Sequence, residues 1–369
     1  MKAVAVDTTR RRVALIEART PALRRPTDVR LRVLDVGICG TDREVAAFHY
    51  GTPPRGTDQL VLGHESLGQV TELGSAVSGL RVGDLVVPMV RRPCRHARCV
   101  PCRSGRQDFC TTGDFVERGI HGAHGFLAER VVEDERYLVP VPAELRDVAV
   151  LVEPLTIAEK ALSELAIIQG RLPWACPIVR GEPRYSCHRA VVIGAGPVGL
   201  LGAMALIHAG FETTVYSRDP QPNERADLVE ALGGRYVSSS SASPDQLAEI
   251  AGGVDVVYEA VGASQVAFDV LRVLGTNGIF IFTGVPARKG PLQLEADVLM
   301  RNIVLRNQVV LGSVNAGRED FESAVRDLAA FRERWPAAVQ AMITGRFPLE
   351  ETPALLQSGG GIKNVVAVG

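Results

Sequence analysis

Neither sign of charge is in excess: 41 basic and 42 acidic residues leave a net charge of −1. That balance argues against a strongly basic nucleic-acid surface, although Arg91, Arg92, Arg95 and Arg98 form one local cluster. Aromatic side chains are scarce, at 5%. No aromatic platform accompanies the arginines, so base stacking has no support. The chain shows no internal repeat and no long low-complexity tract. Its first residues, MKAVAVDTTRRRVALIEA, alternate like a strand and lack the apolar core of a signal peptide. The expectation is a cytoplasmic protein in a reducing compartment. The stretch 190–211 carries no Asp, Glu, Lys or Arg and is long enough for a membrane span. Gly194, Gly196, Gly199, Gly202 and Pro197 interrupt it, however, so a buried strand, a glycine turn and a buried helix explain it better than a span.

What is present is an ordinary globular profile: 369 residues, 46% apolar and 22% charged, enough for two domains with sizeable cores. Over the first 150 or so residues, short strand-like runs such as DVRLRVLDVGICG, LGQVTELGS and GDLVVPMV alternate with Gly, Pro and Asp, as in a β-barrel-like domain. From Glu153 the period becomes helical, with Leu155, Ala158, Leu162 and Leu165 on one face. A polar, Pro-containing connector spans 171–189. Strands are then predicted at 190–193, 213–216, 236–238, 254–259, 278–283 and 309–312. Helices at 197–208, 224–232, 246–251 and 265–274 separate them. Such alternation means an α/β doubly wound parallel sheet, covered on both faces. A helix at 318–335 and a strand at 364–368 end the pattern.

Three constellations carry chemistry. Cys94, Cys99, Cys102 and Cys110 sit in a polar, Arg-rich loop without an apolar period. The last three read Cys-x2-Cys-x7-Cys, a spacing that lets sulfurs converge on a tetrahedral zinc, and a reducing compartment favours metal over disulfides. Gly194-Ala195-Gly196-Pro197-Val198-Gly199 is a G-x-G-x-x-G between a predicted strand and an apolar helix, the context in which that motif binds a dinucleotide pyrophosphate. Without that context it would be only a glycine turn. At the end of the next strand stand Ser217 and Arg218, with Asp219 beyond. Arg offers a fork of donors to a 2′-phosphate, which favours NADP, with NAD as the alternative; a solvated loop charge is the plainer reading of Arg218. Cys39, His64 and Glu153, each near the end of an apolar run, offer a thiolate, an imidazole and a carboxylate suited to a second zinc. Singly, each would pass for packing or surface. Cys176 and Cys187, in the connector, read as buried small side chains or free thiols.

The motifs GICGTD (37–42), LGHE (62–65), GRQDFC (105–110), ERGIHGAHGF (117–126), EPLTIAEKA (153–161), GAGPVG (194–199) and GSVN (312–315) span nearly the whole chain. With them it resembles the zinc-dependent medium-chain alcohol dehydrogenases, more narrowly their archaeal-type glucose 1-dehydrogenase branch. The resemblance implies a GroES-like β-barrel catalytic domain at 1–155, completed by 313–369, and a Rossmann domain at 156–312. It implies Cys39, His64 and Glu153 as ligands of a catalytic zinc, with Glu65 as an alternating or water-mediated ligand. Thr41 matches a position that contacts substrate and passes on its proton. Glu117 and Asn315 match positions that bind sugar hydroxyls, against a plainer role in loop hydrogen bonding. The implied reaction is oxidation of a sugar or polyol, glucose to gluconolactone first, by hydride transfer to NADP or NAD.

The cysteine lobe departs from the family's Cys-x2-Cys-x2-Cys-x7-Cys. Either Cys94 or His96 fills its first position, and the RRPC flank and the commoner four-thiolate set favour Cys94. A homodimer or homotetramer is expected, with no nucleic-acid or membrane partner. Other readings are a dehydrogenase of an aminosugar, cyclitol or secondary-metabolite alcohol, set by the loops 44–60 and 285–300, and a catalytically silent NADP-binding protein. An intact Cys39, His64 and Glu153 set argues against the silent protein.

Overall fold

Short amphipathic strands from both ends of the chain build one unit, and the strand–helix alternation between them builds another. In the computed structural model, residues 1–172, 176, 185–286 and 290–369 are described. The first unit comprises Met1–Thr156, Asn315–Ala330 and Val339–Gly369; the second comprises Ile157–Val314 and Phe331–Ala338.

The first unit is a β structure. A seven-stranded sheet runs Leu138–Val141, Leu85–Pro88, Glu65–Leu73, Asp28–Gly37, Lys363–Ala367, Ile343–Pro348, with Arg130–Asp134 also paired to Asp28–Gly37. A three-stranded sheet joins Arg12–Glu17, Lys2–Asp7 and Gln59–Val61, and a second joins Arg91–Arg92, Val116–Arg118 and Gly122–Ala123. The core draws Val4, Val29, Val33, Val36 and Leu60 from the strands and Leu62, Phe126 and Leu127 from the segments beside them. Strand Lys363–Ala367, near the end of the sequence, pairs antiparallel with Asp28–Gly37, Val365 opposite Gly37. That pairing closes the sheet beside the site described below.

The second unit carries the six-stranded, all-parallel Rossmann-type sheet, in the order Arg235–Ser238, Glu212–Ser217, Arg189–Ile193, Val256–Glu259, Ile279–Phe282, Val309–Gly312. The predicted strands agree to within a residue or two, because strands buried on both faces read as plain β-branched runs. The order reverses between Arg189–Ile193 and Val256–Glu259, where open α/β sheets bind ligands. The charge-free stretch is strand Arg189–Ile193 and buried helix Pro197–Ala209. Among the described residues no helix is long and apolar enough to cross a membrane.

One expectation is corrected. Cys176 and Cys187 are bonded to each other, with Cα atoms 5.6 Å apart, well within disulfide reach. The spacing of the two cysteines gives no sign that they meet. Connector residues 173–175 and 177–184, and 287–289 of the loop 285–300, lie outside the described residues.

Candidate active site

Cys39 precedes the short helix Gly40–Ala46, and Asp42 within it accepts from the Cys39 backbone N–H at 2.9 Å. The other Asp42 oxygen accepts from Gly63 N–H at 3.2 Å and lies 3.3 Å from His64 Nδ1, in contact but without hydrogen-bond alignment. Asp42 is fully buried and His64 nearly so. Burial disfavours charge on both, but their mutual attraction prevails: the Asp42 carboxyl is held below its ordinary range and the imidazole well above its own. Gly63 is required by its position. Its φ is +87°, and a side chain there would meet Val36 and Leu127 at 2.8–2.9 Å.

Glu65 begins the next strand and is buried. Both its carboxylate oxygens take the Lys363 ammonium, at 2.7 and 2.5 Å, and Lys363 also donates to Ile38 O at 3.4 Å. Burial lowers the lysine's pKa, while Glu65 and then Cys39 more than offset it. Gly37 makes room for this pair: a Cβ there would stand 2.1 Å from Glu65 Oε2.

The ligand atoms of Cys39, His64 and Glu65 all lie within 4.8 Å of one another. Glu153, second residue of the helix Val152–Gln169, stands outside that trio but within reach of its charges. Burial, with Glu65 and Asp42, pushes its carboxyl up to about 7, against the pull of His64 and Lys363. Thr41 Oγ1 is 4.0 Å from Cys39 Sγ.

Beside His64 lies the turn that follows Glu117 and its strand Val116–Arg118. Gly119 packs so closely that a Cβ there would meet Gly63 O at 2.4 Å. Glu117 Oε1 accepts from Arg91 Nε (3.1 Å), Arg91 Nη2 (2.9 Å) and Asn315 Nδ2 (2.9 Å). Arg91 also donates to Asp108 O at 3.1 Å, and its guanidinium lies 3.7 Å from the centre of the Phe115 ring. Arg91 and Glu117 are both buried. Arg92 pairs with Glu133, so these two arginines of the cluster face inward and form no basic patch. Asn315 adopts φ +59°, and its Oδ1 accepts from Ala316 N–H, which fixes its amide toward Glu117.

Cys94, Cys99, Cys102 and Cys110 also converge within 4.8 Å, whereas His96 is paired with Asp114. Backbone N–H groups led by that of Thr111 bring the Cys99 thiol down to about 5, while burial pushes Cys102 up to about 12. Such a set fits a structural zinc.

In the second unit, Gly194 turns the chain at φ +103°, and Gly196 precedes helix Pro197–Ala209, with Pro197 and Val198 in its first turn. A Cβ on Gly196 would meet nothing within 4 Å, so open space faces the helix N-terminus; a Cβ on Gly199 would meet Gly194 O at 2.1 Å. That cradle fits a pyrophosphate. Ser217 ends its strand, and the Arg218 side chain is 93% exposed. Asp219 is engaged by Arg225 at 3.0 Å.

The positioning residues Asp42, Arg91 and Lys363 were not read from the sequence. Asp42 had a signal, standing three residues beyond Cys39 as a capping acid does. Lys363 had none, being 298 residues from Glu65.

The family described as "Alcohol dehydrogenase GroES-like domain" matches residues 25–143, and that described as "Glucose dehydrogenase C-terminus" matches 146–368. The chain is 42% identical over 323 residues to glucose 1-dehydrogenase 1 of Caldivirga maquilingensis, covering 87% of this chain and 85% of that protein. It is 38% identical over 323 residues to the glucose 1-dehydrogenase of Methanocella arvoryzae, covering 88% and 87%. Haloferax mediterranei glucose dehydrogenase, solved with NADP, Zn and gluconolactone, superposes with a TM-score of 0.88 at 32% identity, covering 100% of this chain and 99% of that one. The chain belongs to the zinc-dependent medium-chain alcohol dehydrogenase superfamily, in its glucose 1-dehydrogenase branch.

Proposed function

We propose that this protein oxidises glucose at its anomeric carbon to gluconolactone, with NADP as the preferred cofactor and NAD accepted. The observation that carries the reading is the trio of half-buried Cys39 with buried His64 and Glu65, and the sugar-type acceptor Glu117 on the strand that leads into the turn packed against the residue before His64. When bound, zinc supplies Lewis acidity to a substrate hydroxyl, and the oxidised nicotinamide supplies the hydride acceptor.

The chain's own residues do the rest. Cys39, His64 and Glu153 are the proposed metal ligands, and Glu65, tied to Lys363, is the alternating one. Asp42 holds the His64 ring by facing Nδ1, which leaves Nε2 for the metal. Thr41 contacts the substrate hydroxyl and relays its proton, giving up its own hydroxyl proton toward solvent as it accepts that of the substrate. Glu117 Oε2, the oxygen not committed to Arg91 or Asn315, accepts from a sugar hydroxyl, and Asn315 contributes its amide. A site built on such buried partners rejects sugars that leave them unpaired.

Cys94, Cys99, Cys102 and Cys110 hold the structural zinc in this reading, since His96 is engaged by Asp114. Gly194, Gly196, Pro197, Val198 and Gly199 cradle the pyrophosphate. The exposed Arg218 fork, with Ser217, takes the 2′-phosphate, while the acid that would take a 2′-hydroxyl, Asp219, is occupied by Arg225.

A homodimer or homotetramer formed through strand Val309–Gly312 is also proposed. Among the described residues this strand pairs on one side only, and the helix Ala296–Leu305 that precedes it exposes Met300, Val304 and Leu305. Sedimentation of the wild type as a monomer at micromolar concentration would refute it.

The deciding experiment is a screen of aldoses, polyols and cyclitols with NADP and NAD, following the reduced cofactor by absorbance. Glucose with NADP is expected to give the highest kcat/KM; no turnover of any sugar by zinc-loaded protein sinks the proposal. Cys39→Ala should abolish turnover and leave NADPH binding intact. Surviving activity would remove Cys39 from the ligand set.

A further inference from the structure

Glu259 ends the strand Val256–Glu259, which neighbours Arg189–Ile193 across the point where the sheet order reverses. Its side chain is buried, and its partners are backbone N–H groups. Oε1 accepts from Val261 N at 2.8 Å and Gly262 N at 2.7 Å, and Oε2 accepts from Gly284 N at 3.2 Å. Its carbonyl accepts from Thr283 Oγ1 at 2.7 Å. One carboxylate therefore ties together two loops, 260–262 and 283–284, that leave adjacent strands at their carboxyl ends.

The loops meet backbone to backbone. A Cβ on Gly262, whose φ is +71°, would stand 2.6 Å from Val285 O, and one on Gly284 would stand 2.1 Å from Gly262 N. Across the crevice, Val261 Cγ2 lies 2.3 Å from where a Gly194 Cβ would stand, so loop 260–262 is seated on the first glycine of the phosphate turn. The bonds to the Glu259 side chain lie beyond the strand ladders, whose register ends at Ile193–Glu259 and Glu259–Phe282. A buried carboxylate is costly to desolvate, and here it is spent on fixing loops.

We infer that Glu259 is a positioning residue for the dinucleotide, holding the wall of the crevice that receives its nicotinamide half. The inference rests on the proposed dinucleotide site. The adenosine half goes to the side of Ser217 and Arg218, and a dinucleotide lies across the reversal point, so its other half passes to the side of Val256–Glu259. There the loops gripped by Glu259 set the width of the crevice. Replacing the carboxylate by an amide keeps one acceptor oxygen for Val261 and Gly262 but turns an NH2 group toward Gly284 N–H, so the second loop is left held only by the Glu259 carbonyl, which accepts from Thr283 N, Thr283 Oγ1 and Gly284 N.

The test compares two probes on full-length Glu259→Gln and wild type: NADPH, by fluorescence, and 2′,5′-ADP, which carries only the adenosine half, by calorimetry. The Kd for NADPH is expected to rise about tenfold, the scale of one lost hydrogen bond to a charged group, while that for 2′,5′-ADP stays within about twofold. An unchanged NADPH Kd, or equal weakening of both probes, overturns the inference, since a merely loosened fold would not separate the halves. Should Glu259→Gln fail to fold, Thr283→Val loosens the same loop and is judged by the same ratio of the two Kd changes. Wild type that binds neither probe refutes the dinucleotide site itself, a result distinct from failure of the Glu259 role alone.

Discussion

Of the two carboxylate oxygens of Glu117, Oε1 serves three donors and Oε2 takes none among the described residues. This asymmetry depends on Arg91, whose planar fork reaches one oxygen twice while a third nitrogen holds Asp108 O. A lysine there is a point charge with no fork. Arg91→Lys should raise the KM for glucose about tenfold and leave that for NADP unchanged. Steady-state kinetics with each substrate varied in turn decides it, and an unchanged sugar KM would remove Arg91 from the site. Legibility at this scale followed local context. Cys39, His64 and Glu153 could be singled out because each stands near the end of an apolar run. Arg91 was visible only as one arginine of four, and its inward turn depends on a partner 26 residues away. Lys363 was invisible, since nothing near it in sequence speaks of a carboxylate.

At the scale of elements, the strand Asp28–Gly37 is where the site is held in shape. Its last residue, Gly37, lies directly under Glu65, whose carboxylate is pinned by Lys363 and cannot swing aside. Gly37→Ala should therefore displace Glu65. The expected outcome is a loss of about 1–3 kcal/mol in denaturant unfolding, with lower zinc content by elemental analysis after dialysis. Full zinc retention together with wild-type stability would show that the pair tolerates the shift. The same scale explains which elements could be read in advance. The six parallel strands are short runs rich in β-branched and aromatic residues, and the helices between them are marked by their caps, Gly196 and Gly210, Asn223 and Ser243, since Pro197–Ala209 is apolar nearly all round. Strand Ile343–Pro348 escaped notice because it contains Gly, Arg and Pro, shows only half-buried alternation, and exists by pairing with Lys363–Ala367. The short helix Gly40–Ala46 is fixed by the hydrogen bond of Asp42 rather than by an apolar stripe.

For the molecule as a whole, acid sensitivity follows from buried carboxylates away from the metal trio. Glu133 is buried against Arg92 and Arg118. Burial alone would raise its pKa, but the two guanidinium groups hold it below its ordinary 4.5. A carboxyl lowered in the folded state contributes stability that is fully present above about pH 4.5 and is lost as pH falls through the depressed value. Glu133→Gln should flatten that acid limb of the unfolding curve and cost about 3 kcal/mol at neutral pH, because two half-buried cations lose their partner. Denaturant titrations from pH 3 to 7 test both signs, and an acid limb as steep as the wild type's would assign the sensitivity elsewhere. The ion pair between Glu65 and Lys363 has a different reach, since 298 residues separate its partners. During synthesis the whole parallel-sheet unit leaves the ribosome before Lys363 does. Until then Glu65 has no ammonium, and the sheet that frames the trio lacks its strand Lys363–Ala367. The proposed metal pocket is thus completed only after all of the chain that builds the parallel-sheet unit has been made.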